Sequence, residues 1–244
     1  IVALAAKKGR LDDETIKQLI AMQEDLHNGI GRRRKKASIG IHNMDAVRFP
    51  VRYTTADSAY SFVPLGGSSK MTIEQVMRET EAGRAYGHLL DPNVRKYPLI
   101  IDSAGTVLSF PPIINGEATR LDATCRNLFV EVTATDVKAA DDILAIIAAT
   151  LSDAGFEIQT VAIDGGKKME TPSAAPQKMS AGVGYINSIL GLDLSAKEVV
   201  ACLKNAVQGA FNLAIDESFT LREALRKRRR LTLPLPARAA HRAA

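Results

Sequence analysis

The sequence predicts an α+β fold, and three observations predict it. Short β-branched runs alternate with amphipathic stretches from the first residue to about position 164. A Pro- and Ala-containing segment, Thr171–Pro176, then interrupts the pattern as a linker. Beyond that linker only helical spacing continues. Helices set between paired strands point to one mixed-sheet domain with flanking helices, followed by a smaller helical unit.

Residues 1–6 form an apolar strand ended by Lys7-Lys8-Gly9-Arg10. Asp12 or Asp13 can cap a helix in which Ile16, Leu19, Ile20, Gln23 and Leu26 share one face, and Gly29 offers a left-handed stop. The texture then turns to β segments at Ser38–His42, Arg52–Thr55 and Phe62–Leu65. Met71–Met77 reads as a short helix starting near Ser68 or Ser69. Leu99–Ile101 and Thr106–Ser109 form a hairpin about the turn Asp102–Gly105. Asn127–Thr133 is a strand, Val137–Asp153 a helix with apolar positions Ile143, Ile146, Ile147 and Leu151, and Phe156–Ile163 a strand. After the linker, Ala181–Leu190 and Ala196–Leu203 are helical, the second opened by a capping box of Ser195 and Glu198.

Charge excludes one easy reading. The chain carries 32 Lys and Arg against 27 Asp and Glu, a net +5 that suggests a polyanion partner. Eight of those cations and one anion lie in residues 222–244, so residues 1–221 are mildly acidic. The dense basic run within the body is Arg32-Arg33-Arg34-Lys35-Lys36, a solvated connector or a phosphate contact. Two cysteines, Cys125 and Cys202, stand 77 residues apart, and four histidines show no HxxxH or HExxH spacing. A disulfide scaffold and a zinc motif both lack their ligands, so no metal is expected and a reducing, cytoplasmic setting fits. No run of about 18 uncharged apolar residues is present, so no membrane helix is expected. The opening Ile-Val-Ala-Leu, without Met, reads as part of a longer polypeptide.

Two stretches carry candidate chemistry. In Ser109-Phe110-Pro111-Pro112-Ile113-Ile114-Asn115 the two prolines force the chain out of a ladder, leaving a stiff wall with polar ends at Ser109 and Asn115. That composition fills a core or lines a pocket for a mostly apolar ligand with a polar handle. In the strand Asn127–Thr133, Phe129, Glu131 and Thr133 share one face and Val130 and Val132 the other. Glu131 and Thr133 then face either solvent or a polar-lined cavity.

The segment YPLIIDSAGTVLSFPPIINGEATRLDATCRNLFVEVTATD resembles the editing domain of archaeal and eukaryotic phenylalanyl-tRNA synthetase β subunits. The stretches EDLHNGIGRRRKKASIGIHNMDAV, FVPLGGSSKMTIEQV and YGHLL are similar to the same family, and YINSILGLDLSAKEVVACLKN to the start of the small domain after it. The resemblance covers roughly residues 1–208. It implies four regions: the end of an N-terminal region with a connecting helix (1–36), a tRNA editing domain (37–170), the start of a winged-helix-like and incomplete small domain (171–213), and a basic tail (214–244). The tail departs from the family pattern near Gly209 and is expected to be disordered.

The resemblance also implies an editing pocket formed by Ser109, Pro112, Asn115, Glu131 and Thr133. Archaeal members often place Asp where this chain has Glu131. Ile100 matches the aliphatic position that packs against the amino-acid side chain, with Ile101 one residue along as the alternative. The implied reaction is hydrolysis of Tyr-tRNA(Phe) through a positioned water, with no general base named. Arg32, Arg33, Arg34, Lys35 and Lys36 are the candidates for the tRNA backbone. The implied partners are tRNA(Phe) and the synthetase α subunit in an α2β2 assembly. ATP and Mg2+ are implied for the parent enzyme, and no cofactor for this stretch of it.

Overall fold

The computed structural model describes residues 1–166, 168–172, 178–179, 181–208 and 219–220. Residues 1–152 and 156–172 make one compact unit; 153–155 and the residues from 173 onward belong to a second.

The first unit holds two principal sheets. Strands β1 (Val2–Lys7) and β2 (Ala37–Asn43) flank helix α1 (Asp13–Asn28) in the chain. Next come β3 (Arg52–Ala56), β4 (Ser61–Phe62), β5 (Met71–Thr72) and the helices α2 (Ile73–Glu79) and α3 (Glu81–Tyr86). Strands β6 (Tyr97–Ile101), β7 (Val107–Phe110), β8 (Ile114–Asn115) and β9 (Leu128–Ala134) precede α4 (Val137–Asp153), β10 (Glu157–Asp164) and β11 (Lys168–Thr171). One antiparallel sheet has the order β11-β10-β1-β9-β2, the other β3-β6-β7-β8. β1 therefore lies inside the larger sheet, between β9 and β10, and residues 1–36 are built into the same unit as the later strands.

Alternation decides which residues meet. Opposite Glu131 stand Gly40 on β2 and Ala3 on β1, and opposite Phe129 stand His42 and Ala5. These side chains share one face of the larger sheet. Ala3 and Phe129 pack there against Ile100 and Leu108 of the smaller sheet. On the opposite side of the smaller sheet, Leu99, Val107 and Phe110 pack with Phe62, Ile73 and Val76. Buried apolar side chains thus lie on both faces of the smaller sheet, which holds its backbone in place.

Helix starts reflect local chemistry. Asp12 caps α1 by accepting from the Thr15 N–H at 2.7 Å. α2 starts at a capping box of Thr72 and Gln75, so the start expected near Ser68 or Ser69 moves along the chain. Gly29 ends α1 at φ −76°, not in the left-handed region expected for it. The left-handed residues come later, at Arg32, Arg33 and Arg34, with φ of 49°, 54° and 64°. α4 buries Ile143, Ile147 and Leu151 as expected, while Ile146 is exposed.

The edge strand β2 is closed by α1. Gln23 Nε2 donates to the Ile39 carbonyl at 3.1 Å, and the Ile39 N–H donates to His27 Nε2 at 2.9 Å. Both backbone groups of Ile39 are satisfied by helix side chains, which removes an open ladder edge.

In the second unit, α5 (Val183–Leu190) ends at Gly191, which adopts φ 66°. α6 (Ala196–Gln208) opens with the expected box: the Ser195 N–H donates to Glu198 Oε2 at 2.9 Å and the Glu198 N–H to Ser195 Oγ at 3.3 Å. The linker residues 173–177 and, apart from 219–220, the tail 214–244 lie outside the described residues.

Candidate functional site

A cleft of about 490 Å³ opens in the first unit, beside the edge of β2. Its apolar wall includes Ile16 and Ile20 of α1, Ile39 and Ile41 of β2, and Ile113. Gln23, Ser38, Ser109, Asn115 and Thr119 supply its neutral polar groups, and Glu24, Arg34, Arg120 and Glu131 its charged ones. An apolar enclosure with a few converging polar side chains is the ordinary chemistry of a small-molecule site.

The Pro-Pro segment builds one wall. After Phe110 the chain turns through Pro111–Ile113 and returns as β8, so it re-enters the sheet after leaving it. The Ile113 N–H closes the turn on the Phe110 carbonyl at 2.8 Å. This hairpin sets Ser109 directly opposite Asn115. Pro112 also lines the cleft.

Glu131 forms the floor. It is 2% exposed, although a strand carboxylate is ordinarily a surface group. Ser109 Oγ donates to Glu131 Oε1 at 2.8 Å, tying the two sheets together. Glu131 Oε2 is buried with no hydrogen-bond partner. His42, fully buried, places Nε2 3.8 Å from Glu131 Oε1, beyond hydrogen-bond range. Its Nδ1 lies 2.9 Å from Thr119 Oγ1. Gly40 explains how two polar side chains fit above the strand. A Cβ there would stand 2.3 Å from Glu131 Oε1 and 2.5 Å from His42 Nε2.

Two expected pocket residues sit elsewhere. Ile100 is fully buried among Ala3, Val47, Leu108 and Phe129, in the core between the sheets and away from the cleft lining. On β6 it pairs with Ser109 and shares its face toward the larger sheet, but packs against Ala3 and Phe129 where Ser109 meets Glu131. Ile101 likewise does not line the cleft. Thr133 is one step removed. Its Oγ1 lies 2.6 Å from Ser38 Oγ, and Ser38 is the residue at the lining.

The basic run divides by burial. Arg32, Arg33 and Lys35 are exposed. Lys36 Nζ pairs with Asp136 at 2.9 Å. Arg34 is turned inward. Nη1 donates to the carbonyls of Pro112 and Ile113 at 3.2 and 3.0 Å, and Nη2 pairs with Glu24 at 3.0 Å. Its guanidinium also stacks 4.1 Å from the centre of the Tyr86 ring. Arg34 thus joins α1, α3 and the Pro-Pro turn, and it lines the cleft.

Electrostatics behind the wall match this packing. Burial, followed by the Arg34 charge, lowers His27 from 6.5 to about 4, with Glu24 opposing. Neutral His27 can accept from the Ile39 N–H through Nε2 while Nδ1 donates to Glu24 Oε1 at 3.1 Å. Burial would raise the Glu24 carboxyl, but His27 and Arg34 together hold it below its usual value.

The residue types of Ser109, Pro112, Asn115 and Glu131 are legible in sequence, and the fold brings all four to one cleft. His42, Thr119 and Gly40 are not singled out by any motif. Their one sequence signal is the alternation of Ser38, Gly40 and His42 along a strand, which acquires meaning only once β9 is its neighbour. Among the described residues, no group of three or more His, Cys, Asp or Glu side chains could hold a metal ion. No described helix is long and apolar enough to cross a membrane.

No family model matches the chain. The Phenylalanine–tRNA ligase beta subunit of Archaeoglobus fulgidus is 41% identical over 205 residues, which is 84% of this chain and 37% of that protein. The beta subunit of Korarchaeum cryptofilum is 39% identical over 210 residues, 84% of this chain and 38% of that protein. The crystal structure of an N-terminal fragment of the phenylalanyl-tRNA synthetase beta subunit from Pyrococcus horikoshii superposes with a TM-score of 0.76 at 32% identity. That match covers 90% of this chain and 63% of the fragment. The chain spans little more than a third of the length of the curated relatives it matches. It is a homologue of archaeal phenylalanine–tRNA ligase beta subunits.

Proposed function

We propose that the cleft is an editing site that hydrolyses the ester of tyrosine wrongly joined to tRNA(Phe). The observation that carries this reading is Glu131: a buried carboxylate on the cleft lining, held through Oε1 by Ser109, with Oε2 buried and unpartnered. An apolar pocket rejects an added hydroxyl only about 10²-fold, so a site choosing phenylalanine over tyrosine benefits from a second site that reads the hydroxyl. A site that hydrogen-bonds the phenol discriminates by roughly 10⁴–10⁵, because phenylalanine leaves its polar groups unpaired.

The roles divide by position. Glu131 accepts from the phenol or the α-amino group, Asn115 and Ser109 orient the ligand, and Ile113 and the Ile39–Ile41 strand contact its ring. Water attacks the ester carbonyl, the bond to the ribose oxygen breaks, and free tyrosine and tRNA leave. The exposed cations Arg32, Arg33 and Lys35 hold the tRNA backbone near the α1 side of the cleft. Aminoacylation itself, with its ATP and Mg2+, belongs to the α subunit of an α2β2 enzyme working in the cytoplasm. Ester hydrolysis in the cleft runs through neither group.

The test is deacylation of Tyr-tRNA(Phe) by the chain and by Glu131→Ala. The variant loses activity while its circular dichroism spectrum is unchanged; full activity would overturn the site. A second reading, RNA docking without catalysis, is favoured by the three exposed cations alone. It predicts a salt-sensitive mobility shift of tRNA with no deacylation.

A further inference from the structure

We propose that His42 is a positioning residue that sets the specificity of the cleft by orienting the Glu131 carboxylate. The inference rests on the editing reading above and adds to it a residue pair, His42 and Thr119, together with Gly40 as the position that admits them.

The geometry carries it. His42 and Glu131 are both almost wholly buried, on neighbouring strands and on one face of the larger sheet. A buried polar atom without a partner is destabilising, so unpartnered buried atoms on two adjacent side chains call for a role. His42 Nε2 and Glu131 Oε2 are two such atoms. The histidine ring is not free to turn away, because Nδ1 is engaged by Thr119 Oγ1 at 2.9 Å. The other ring nitrogen, Nε2, faces Glu131 Oε1 across 3.8 Å.

Glu131 Oε1 accepts from the Ser109 hydroxyl of β7, and His42 Nε2 of β2 stands 3.8 Å from the same oxygen, just outside hydrogen-bond range. Ser109 fixes one oxygen of the carboxylate, and the other, Oε2, is buried and unpartnered, the oxygen left for a ligand that reaches it. A ligand donor at Oε2 draws the carboxylate into place, and His42 closes the remaining gap to Oε1. A ligand without that donor leaves the set unpaired. Gly40 is required because any side chain there would occupy the same space. A Cβ meets the ends of Glu131 and His42, not backbone, so Gly40→Ala displaces the carboxylate without breaking the strand.

Nitrogen-15 NMR of the histidine side chains in the full chain tests the contact without relying on activity. Glu131→Gln and Gly40→Ala should each shift the His42 Nε2 resonance and leave His27 in place. A His42 resonance unmoved by both substitutions overturns the inference. Deacylation then tests the role. His42→Asn keeps the reach to Thr119 but loses the nitrogen facing Glu131; His42→Gln restores a donor at that reach. The preference for Tyr-tRNA(Phe) over Phe-tRNA(Phe), measured as the ratio of kcat/KM, should fall at least about 10-fold in His42→Asn and stay within about 3-fold in His42→Gln. Equal ratios in all three proteins overturn the positioning role. If Glu131→Gln itself deacylates normally, the editing reading fails as well. If Glu131→Gln is impaired while both His42 variants match the parent, only the positioning role fails. Should His42→Asn not fold, Gly40→Ala carries the same prediction of lost preference.

Discussion

Ser109 and Glu131 stand 22 residues apart in the chain and meet through one hydrogen bond of 2.8 Å between Oγ and Oε1, buried where β7 of one sheet faces β9 of the other. That bond is a polar crossing between the two sheets at the cleft, and its loss strands a carboxylate oxygen in the interior. Ser109→Ala is expected to lower stability by about 1–3 kcal/mol, read as a shift of the urea midpoint at unchanged slope, and to reduce deacylation. A variant as stable as the parent would mean that the carboxylate finds another donor.

Arg34 is built into the wall of the cleft. Arg34→Lys keeps the charge but cannot span Glu24 and two carbonyls at once, nor stack on Tyr86 in the same way. It should destabilise the chain by about 1–3 kcal/mol in thermal or urea unfolding. Salt dependence of tRNA binding should be unchanged in this variant.

Arg32, Arg33 and Lys35 are the exposed members of the run. Replacing all three by alanine should leave the melting temperature nearly unchanged and weaken tRNA binding at low salt. The slope of log K against log salt should flatten by up to about 3 units, one for each phosphate that is no longer neutralised. An unaltered slope would remove these side chains from the RNA interface.

His27 ties stability to pH. Its folded value of about 4 lies below the ordinary 6.5 because it is buried, with Arg34 adding to the effect. The unfolded chain takes up the proton first as pH falls, so the contribution is complete above about 6.5 and is lost progressively down to about 4. Its full size is on the order of 3 kcal/mol. His27→Gln should be less stable than the parent at neutral pH, and the difference should shrink as pH falls through that window.

Ile100 belongs to the core between the sheets. Ile100→Ala should cost about 2–5 kcal/mol and leave the preference for tyrosine over phenylalanine intact in whatever protein remains folded. A changed preference at unchanged stability would return Ile100 to the pocket.

The sequence by itself determined the alternation of strands and helices, because apolar periodicity and capping residues act over a few neighbours. Asp12 at the start of α1, the Ser195–Glu198 box and the turn at Asp102–Gly105 were all legible for that reason. The SFPPIIN and RNLFVEVT segments also disclosed Ser109, Pro112, Asn115 and Glu131, whose residue types stand out in a strand or a proline-broken turn. Tertiary structure decided the rest. Strand order brought β1 between β9 and β10 and β2 beside β9, and no local signal specifies which strands pair. That pairing alone put Gly40 and His42 against Glu131. It also set Thr133 beside Ser38, and packing of the two sheets, not register, put Ile100 in the core on the face it shares with Ser109. The run of five cations is one feature in sequence; burial divides it, because a guanidinium can satisfy several carbonyl and carboxylate acceptors that only the folded chain assembles around Arg34.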